Sequence, residues 1–191
     1  MGFGVGTVIG IAVVILIILI FNEIGQSFYR NYYRGYYYRL AVDKALKIDK
    51  PLIVVGCPHN GTDSKLHGPA YGSGNFMIDI SGCSKNICQD VMERDIVDSL
   101  KVFEDDSCVI FISCVLEYVT NIKEAIKEIK RVAGSLDNIF VVTVGTSSWA
   151  SYYYTNNNGG KHKDVPRRVF INSPPNGDFE YQELGQKKKT I

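Results

Sequence analysis

The most varied chemistry in the chain is concentrated in Gly56-Cys-Pro-His-Asn-Gly61, which follows the apolar run Leu52–Val55. A glycine at a strand tip lets backbone approach a ligand closely. Cys57, His59 and Asn60 set a thiol, an imidazole and an amide beside it. Asp79 comes near the end of a second apolar run, Phe76-Met-Ile-Asp-Ile80, just before the turn signal Ser81-Gly82. Ser113 closes a third run that begins at Cys108, and Glu117 follows in a short connection, where a carboxylate facing water near the helix entry is the ordinary alternative to a role at the site. Cys57, His59, Cys83 and Cys88 are zinc-type ligands, but Cys-x-His and Cys-x4-Cys are not the paired knuckles of structural zinc, so no metal site is expected. No nucleophile–base pair stands out around His59, His67 or His162. Asn60-Gly-Thr62 has the form of a glycosylation sequon, which a cytosolic domain would not present to the transferase.

These groups need elements to hold them. Leu52–Val55, Phe76–Ile80, Cys108–Ser113 and Ile139–Val144 are short, non-alternating apolar runs, the pattern of strands buried on both faces. Between the last two, residues 121–132 form an amphipathic helix: Ile122, Ala125, Ile126, Ile129 and Val132 share one face. Asn121 is a suitable N-cap and Gly134 a suitable terminator. Strands separated by a helix predict a parallel sheet in an α/β layer. Near the C-terminus, 167–172 and 179–184 flank a Pro-Pro-Asn-Gly turn, which predicts a closing antiparallel hairpin.

The chain has 191 residues, with 21 Lys and Arg against 20 Asp and Glu, so a strongly basic nucleic-acid binder is excluded and no specific nucleic-acid partner is expected. A hydrophobic content of 46% is enough to bury a core and excludes global disorder. The apolar residues are unevenly spread. No charged side chain precedes Glu23, and Ile11–Phe21 is unbroken. Residues 3–21 therefore have the length and composition of a bilayer-spanning helix, which takes about 20 residues. There is no basic n-region and no small-x-small cleavage site, so an uncleaved anchor over 1–22 is expected, with the lipid bilayer as its partner. Arg30, Arg34, Arg39, Lys44, Lys47 and Lys50 follow the anchor and place the rest of the chain on the cytosolic side. Between them, Phe28, Tyr29, Tyr32, Tyr33 and Tyr36–Tyr38 have the character of a headgroup-level belt. The expected organisation is an anchor (1–22), an aromatic and basic juxtamembrane segment with a helix (23–50), an α/β domain (51–185) and a basic tail (186–191) carrying Lys187-Lys-Lys189.

Several of these features, in order, resemble the Rossmann-like S-adenosylmethionine-dependent methyltransferases over about residues 50–145. Ile53-Val-Val-Gly-Cys57 is similar to that family's first strand and glycine loop, and Ile78-Asp-Ile-Ser81 to its second strand ending in an acid. Asp90-Val91, with Asp95-Ile96 as the alternative, resembles the acidic step beside the adenine. Phe103–Ser107, Ser113–Val119 and Glu124–Val132 are the closest match, to the lead-in, end and following helix of the fourth strand. The resemblance implies a single Rossmann-like sheet with helices, preceded by the membrane helix. It also implies S-adenosylmethionine as cofactor, with Gly56, Cys57, Asn60, Gly61, Asp79, Asp90, Val91 and Ser113 around it. In that reading Asp79 takes the ribose hydroxyls, Asp90 and Val91 flank the adenine, and Ser113 lies beneath the methionine part.

The sequence also departs from the family pattern. Val54 stands where an acid is expected, and Pro58, which has no N–H to donate, stands in the glycine loop. Residues 62–75 are short for a crossover helix and hold Gly68, Pro69, Gly72 and Gly74. Two function classes follow. One is a membrane-anchored methyltransferase-like protein acting at the cytosolic membrane surface. The other is a catalytically degenerate domain serving as a structural or interaction module with protein assembly partners, as on the internal membrane beneath the capsid of a large DNA virus.

Overall fold

The computed structural model describes residues 4–56, 72–79, 91–92, 96–143 and 167–184, with the side chains of 91, 92, 167 and 184 excepted. A helix, α1 (Val5–Ile48), leads into β1 (Leu52–Val55). Then come β2 (Phe76–Ile78), β3 (Val91–Met92), the short helix α2 (Ile96–Leu100), β4 (Val109–Ser113), a 3-10 turn (Leu116–Tyr118), α3 (Ile122–Ala133) and β5 (Ile139–Val142). The hairpin strands β6 (Arg167–Asn172) and β7 (Glu180–Leu184) complete the described chain.

The apolar runs form strands, slightly shorter than their sequence limits. β2 stops at Ile78 rather than residue 80, and β5 at Val142 rather than residue 144. All five strands of the main sheet are parallel, in the order β3-β2-β1-β4-β5. The hairpin is antiparallel as expected, but it forms a sheet of its own instead of closing the main one. It is tied on by Val141, whose N–H donates to the Pro174 carbonyl at 2.8 Å. Phe170 and Phe179 add their rings to the core.

Side chains alternate across the sheet, which explains why both faces are apolar. Ile53, Val55, Ile78, Ile110, Ile112, Ile139 and Val141 point to the face covered by α2 and α3, where Leu100, Ala125, Ile129 and Val132 are wholly buried. Asn121 caps α3 by accepting from the Glu124 N–H at 3.3 Å, and Gly134 ends it in the left-handed conformation. Arg131 joins the two helices: it donates to the carbonyls of Phe103 and Leu100 at 2.9 and 3.0 Å.

Leu52, Val54, Met77, Val109, Phe111, Phe140 and Val142 point to the opposite face, and α1 covers it. Here the structure differs from the sequence reading, which separated an anchor, a headgroup-level belt and a domain beginning near residue 51. α1 is one helix of 44 residues, about 66 Å long at 1.5 Å per residue. Its first half is bare, with Val5, Ile15, Leu16 and Ile18 more than half exposed. Its second half is a core helix. Gly35, Tyr37, Ala41 and Ala45 are buried, and the small side chains let the helix settle closely on the strands. Tyr38 packs edge-on against Phe111 and donates to the Ser73 carbonyl at 2.8 Å.

α1 runs antiparallel to the strands. Its C-terminal end meets their amino ends, where the Val109 N–H donates to the Pro51 carbonyl at 2.9 Å and Leu52 N–H to Asn75 Oδ1 at 2.9 Å. Further back along α1, Arg34 is hydrogen-bonded to Cys114, just past the carboxyl end of β4, and Tyr29, Arg30 and Tyr33 share a cleft with Val141–Thr143 at the end of β5. The bare apolar half of α1 therefore projects beyond the carboxyl ends of the sheet.

Candidate functional site

Three expected site residues meet at the carboxyl ends of adjacent strands. Gly56 leaves β1 with φ +88, and its N–H donates to the Ile78 carbonyl at 2.8 Å, beside Asp79 at the end of β2. On the other side it faces β4. A Cβ at Gly56 would stand 2.7 Å from the Ser113 carbonyl oxygen and 2.8 Å from Val115 Cγ2, so only glycine fits both the backbone angle and the space. Ser113 is 6% exposed, and its Oγ is enclosed with no hydrogen-bond partner among the described residues. A buried hydroxyl in that state is costly unless something comes to bond it. Asp79 is half-buried.

The chain then turns sharply. Cys114 takes a left-handed φ of +52, a conformation that costs a non-glycine residue about 1–3 kcal/mol, while its N–H donates to the Val142 carbonyl at 2.7 Å. That reversal carries the 3-10 turn inward, so Leu116 is wholly buried and Glu117 is only 1% exposed. Of the two readings of Glu117, the water-facing one does not hold. Its position between Leu116 and Val119 in a post-strand turn was the available signal. Burial pushes the Cys114 thiol above its ordinary range; Arg34, which donates a hydrogen bond to it, and Arg30 pull it back. The sequence reading gave Arg30 and Arg34 a part in membrane orientation and none at this turn.

A cleft of about 280 Å³ opens at the end of β5, lined by Gln26, Tyr29, Arg30, Tyr33 and Tyr37 of α1, by Val141–Thr143, and by Ser173 and Asn176. Asn176 Nδ2 donates to the Tyr37 hydroxyl, closing one wall. A larger cleft, about 570 Å³, lies among Tyr38, Val42, Lys50, Leu52 and Asn75 at the amino ends of the strands. Ligands of open α/β sheets sit beyond the carboxyl ends, so the smaller cleft is on the side where chemistry is expected.

Cys57, Asn60, Gly61 and Asp90 lie outside the described residues, as do His59, His67, His162, Cys83 and Cys88. Val91 opens β3 opposite Met77, which places its backbone two strands from Gly56. No cluster of metal-ligating side chains occurs among the described residues. No family model, curated sequence or solved structure matches the chain.

Proposed function

We propose that this is a single-pass membrane protein whose cytosolic domain is Rossmann-like and binds S-adenosylmethionine at the carboxyl ends of β1, β2 and β4. The observation that carries this reading is the strand order β3-β2-β1-β4-β5. The order reverses between β1 and β4, and in such sheets the ligand crevice lies at that reversal. Gly56 and Ser113 flank it. The enclosed, unbonded Ser113 hydroxyl and the half-buried Asp79 carboxylate fit a ligand rich in hydroxyl and amino groups. Gly56 fits less completely, because the space a Cβ would take is filled by the protein's own Ser113 and Val115. The membrane part of the reading is supported by the exposed apolar half of α1, an 18-residue stretch of mean hydropathy 2.8 with none of it buried. Its cytosolic orientation rests on the basic residues that follow it.

Val54 favours a second reading, the degenerate module. It stands where the resembling family has an acid, and here it is wholly buried in the apolar layer beneath α1. Titration calorimetry of the full chain in nanodiscs decides between the two: heat with S-adenosylmethionine and S-adenosylhomocysteine at micromolar concentrations is expected of the binding reading, and none at millimolar of the degenerate one. Orientation is tested by an impermeant thiol reagent, which should leave Cys83 unlabelled in sealed right-side-out vesicles.

A further inference from the structure

We propose that the cleft at the carboxyl end of β5 holds the headgroup of an anionic phospholipid from the leaflet in which α1 is embedded, with the phosphate against Arg30. This rests on the reading that α1 spans a bilayer. Because α1 runs antiparallel to the strands, the membrane lies on the same side of the sheet as their carboxyl ends. Height along the helix can be counted. A hydrocarbon core of about 30 Å takes about 20 residues, and residues 3–22, which end before Glu23, supply them. Gln26, on the lip of the cleft, is then about 6 Å beyond the hydrocarbon edge and the Arg30 backbone about 12 Å beyond it, at 1.5 Å per residue. The headgroup layer is about 5–8 Å deep on each side. The cleft therefore opens within the headgroups, and Arg30 stands just outside them, where a helical side chain leaning toward the N-terminus reaches back to phosphate level.

The lining suits that occupant. Arg30 supplies a guanidinium, the group that matches phosphate in planar, bidentate fashion. Its Nε is enclosed and donates to nothing among the described residues. Tyr29 and Tyr33, with ring centroids 4.3 Å apart, flank it with the apolar body and polar tip that belong at a membrane interface. Thr143 and Asn176 add hydroxyl and amide groups on the opposite wall.

The test is lipid retention by the full chain. The protein is reconstituted in nanodiscs of phosphatidylcholine containing phosphatidylglycerol, released, and weighed intact by native mass spectrometry. Wild type should keep phosphatidylglycerol in preference to phosphatidylcholine. Arg30→Gln should lower that retention roughly tenfold or more, the size of one lost charge-assisted hydrogen bond. Arg39→Gln, which removes the same charge from an exposed position outside the cleft, should not. Thr143→Tyr fills the cleft without changing charge and should also lower retention, so a folding defect of the arginine variant leaves the question answerable. Equal retention by all variants would overturn the proposal, as would an Arg39→Gln loss as large as that of Arg30→Gln. So would displacement of the retained lipid by soluble glycerol phosphate at comparable concentration. Carbonate extraction separates the levels: a chain that leaves the membrane fails the spanning reading itself, whereas an embedded chain that keeps no anionic lipid fails only this inference.

Discussion

Gly56 and Ser113 are pressed together at the point where the strand order reverses: the Ser113 carbonyl oxygen lies 2.7 Å from where a Gly56 Cβ would be. Backbone meets backbone there, and Val115 Cγ2 closes the contact from the side at 2.8 Å. The tips of β1 and β4 are thereby fixed relative to each other, and so are the residues they carry, the enclosed Ser113 hydroxyl and the strained Cys114.

Gly56→Ala is expected to destabilise the protein. The left-handed backbone alone costs an alanine about 1–2 kcal/mol, and the clash is with a carbonyl that cannot rotate away. For a chain of this size about 1 kcal/mol corresponds to about 2–4 °C in melting temperature. A fall of about 4 °C or more in nanodiscs is the expected result; an unchanged melting temperature would mean that the strand tips can part.

Stability should fall at alkaline pH. Burial raises the thiols of Cys108 and Cys114 and the phenols of Tyr37 and Tyr38 above their ordinary ranges. The folded state therefore keeps protons that the unfolded chain would release. Their stabilisation is complete below the unfolded values, about 8.5 for thiols and 10 for phenols, and is lost as pH rises through the higher folded values. Denaturant midpoints should be level through neutrality and decline from about pH 8.5 upward. Tyr38→Phe should flatten the upper part of that decline; a slope unchanged by it would remove Tyr38 from the account.

Arg168 fastens the hairpin to the site. It is 2% exposed and donates to the carbonyls of Val119 and Thr120, directly after the turn that buries Glu117. Arg168→Lys cannot make the same fork and should cost about 2–3 kcal/mol, one to two charge-assisted bonds. Its ion pair with Glu183 at 3.4 Å reaches a side chain 48% exposed, so Glu183→Gln should be nearly neutral. Comparable losses from both substitutions, measured by chemical denaturation, would place the stabilisation in the ion pair instead.

What the sequence made legible was local. Leu52–Val55, Val109–Ser113, α3 and the hairpin each announce themselves through hydrophobic period, caps or turn residues within a few positions. Long-range relationships were not legible. The order of the strands depends on pairings such as Val54 with both Met77 and Phe111, which no local pattern encodes. The continuity of α1 was hidden because the part of its buried stripe nearer the anchor is Gly35 and Tyr37, one too small and the other too polar to read as a core face. The burial of Glu117 was not legible because a carboxylate beside a helix entry is ordinarily solvated, and only the reversal at Cys114 turns it inward. Gly56, Asp79 and Ser113, by contrast, were each read at a strand end, and the parallel sheet brings those ends together.

Asp79 gives the sharpest test of the binding reading. It follows directly on Ile78, whose carbonyl accepts from the Gly56 N–H, so its backbone is set beside the tip of β1. A ribose bound across the reversal point presents two adjacent hydroxyls, and a carboxylate can accept from both. Asp79→Ala removes the acceptor and should weaken S-adenosylmethionine binding by the worth of a charge-assisted contact, about 1.5–3 kcal/mol or roughly 10- to 150-fold. Asp79→Asn keeps one acceptor oxygen without the charge and should recover only part of that loss. The same titrations on Ser113→Ala separate an energetic from a merely local role, since Ser113 lies on β4, across β1 from Asp79. If the two residues hold different parts of one ligand, their losses should add to within about 0.5 kcal/mol. Affinity indifferent to Asp79→Ala would move the ribose elsewhere, and no heat from the unaltered protein would leave the degenerate module as the reading to pursue.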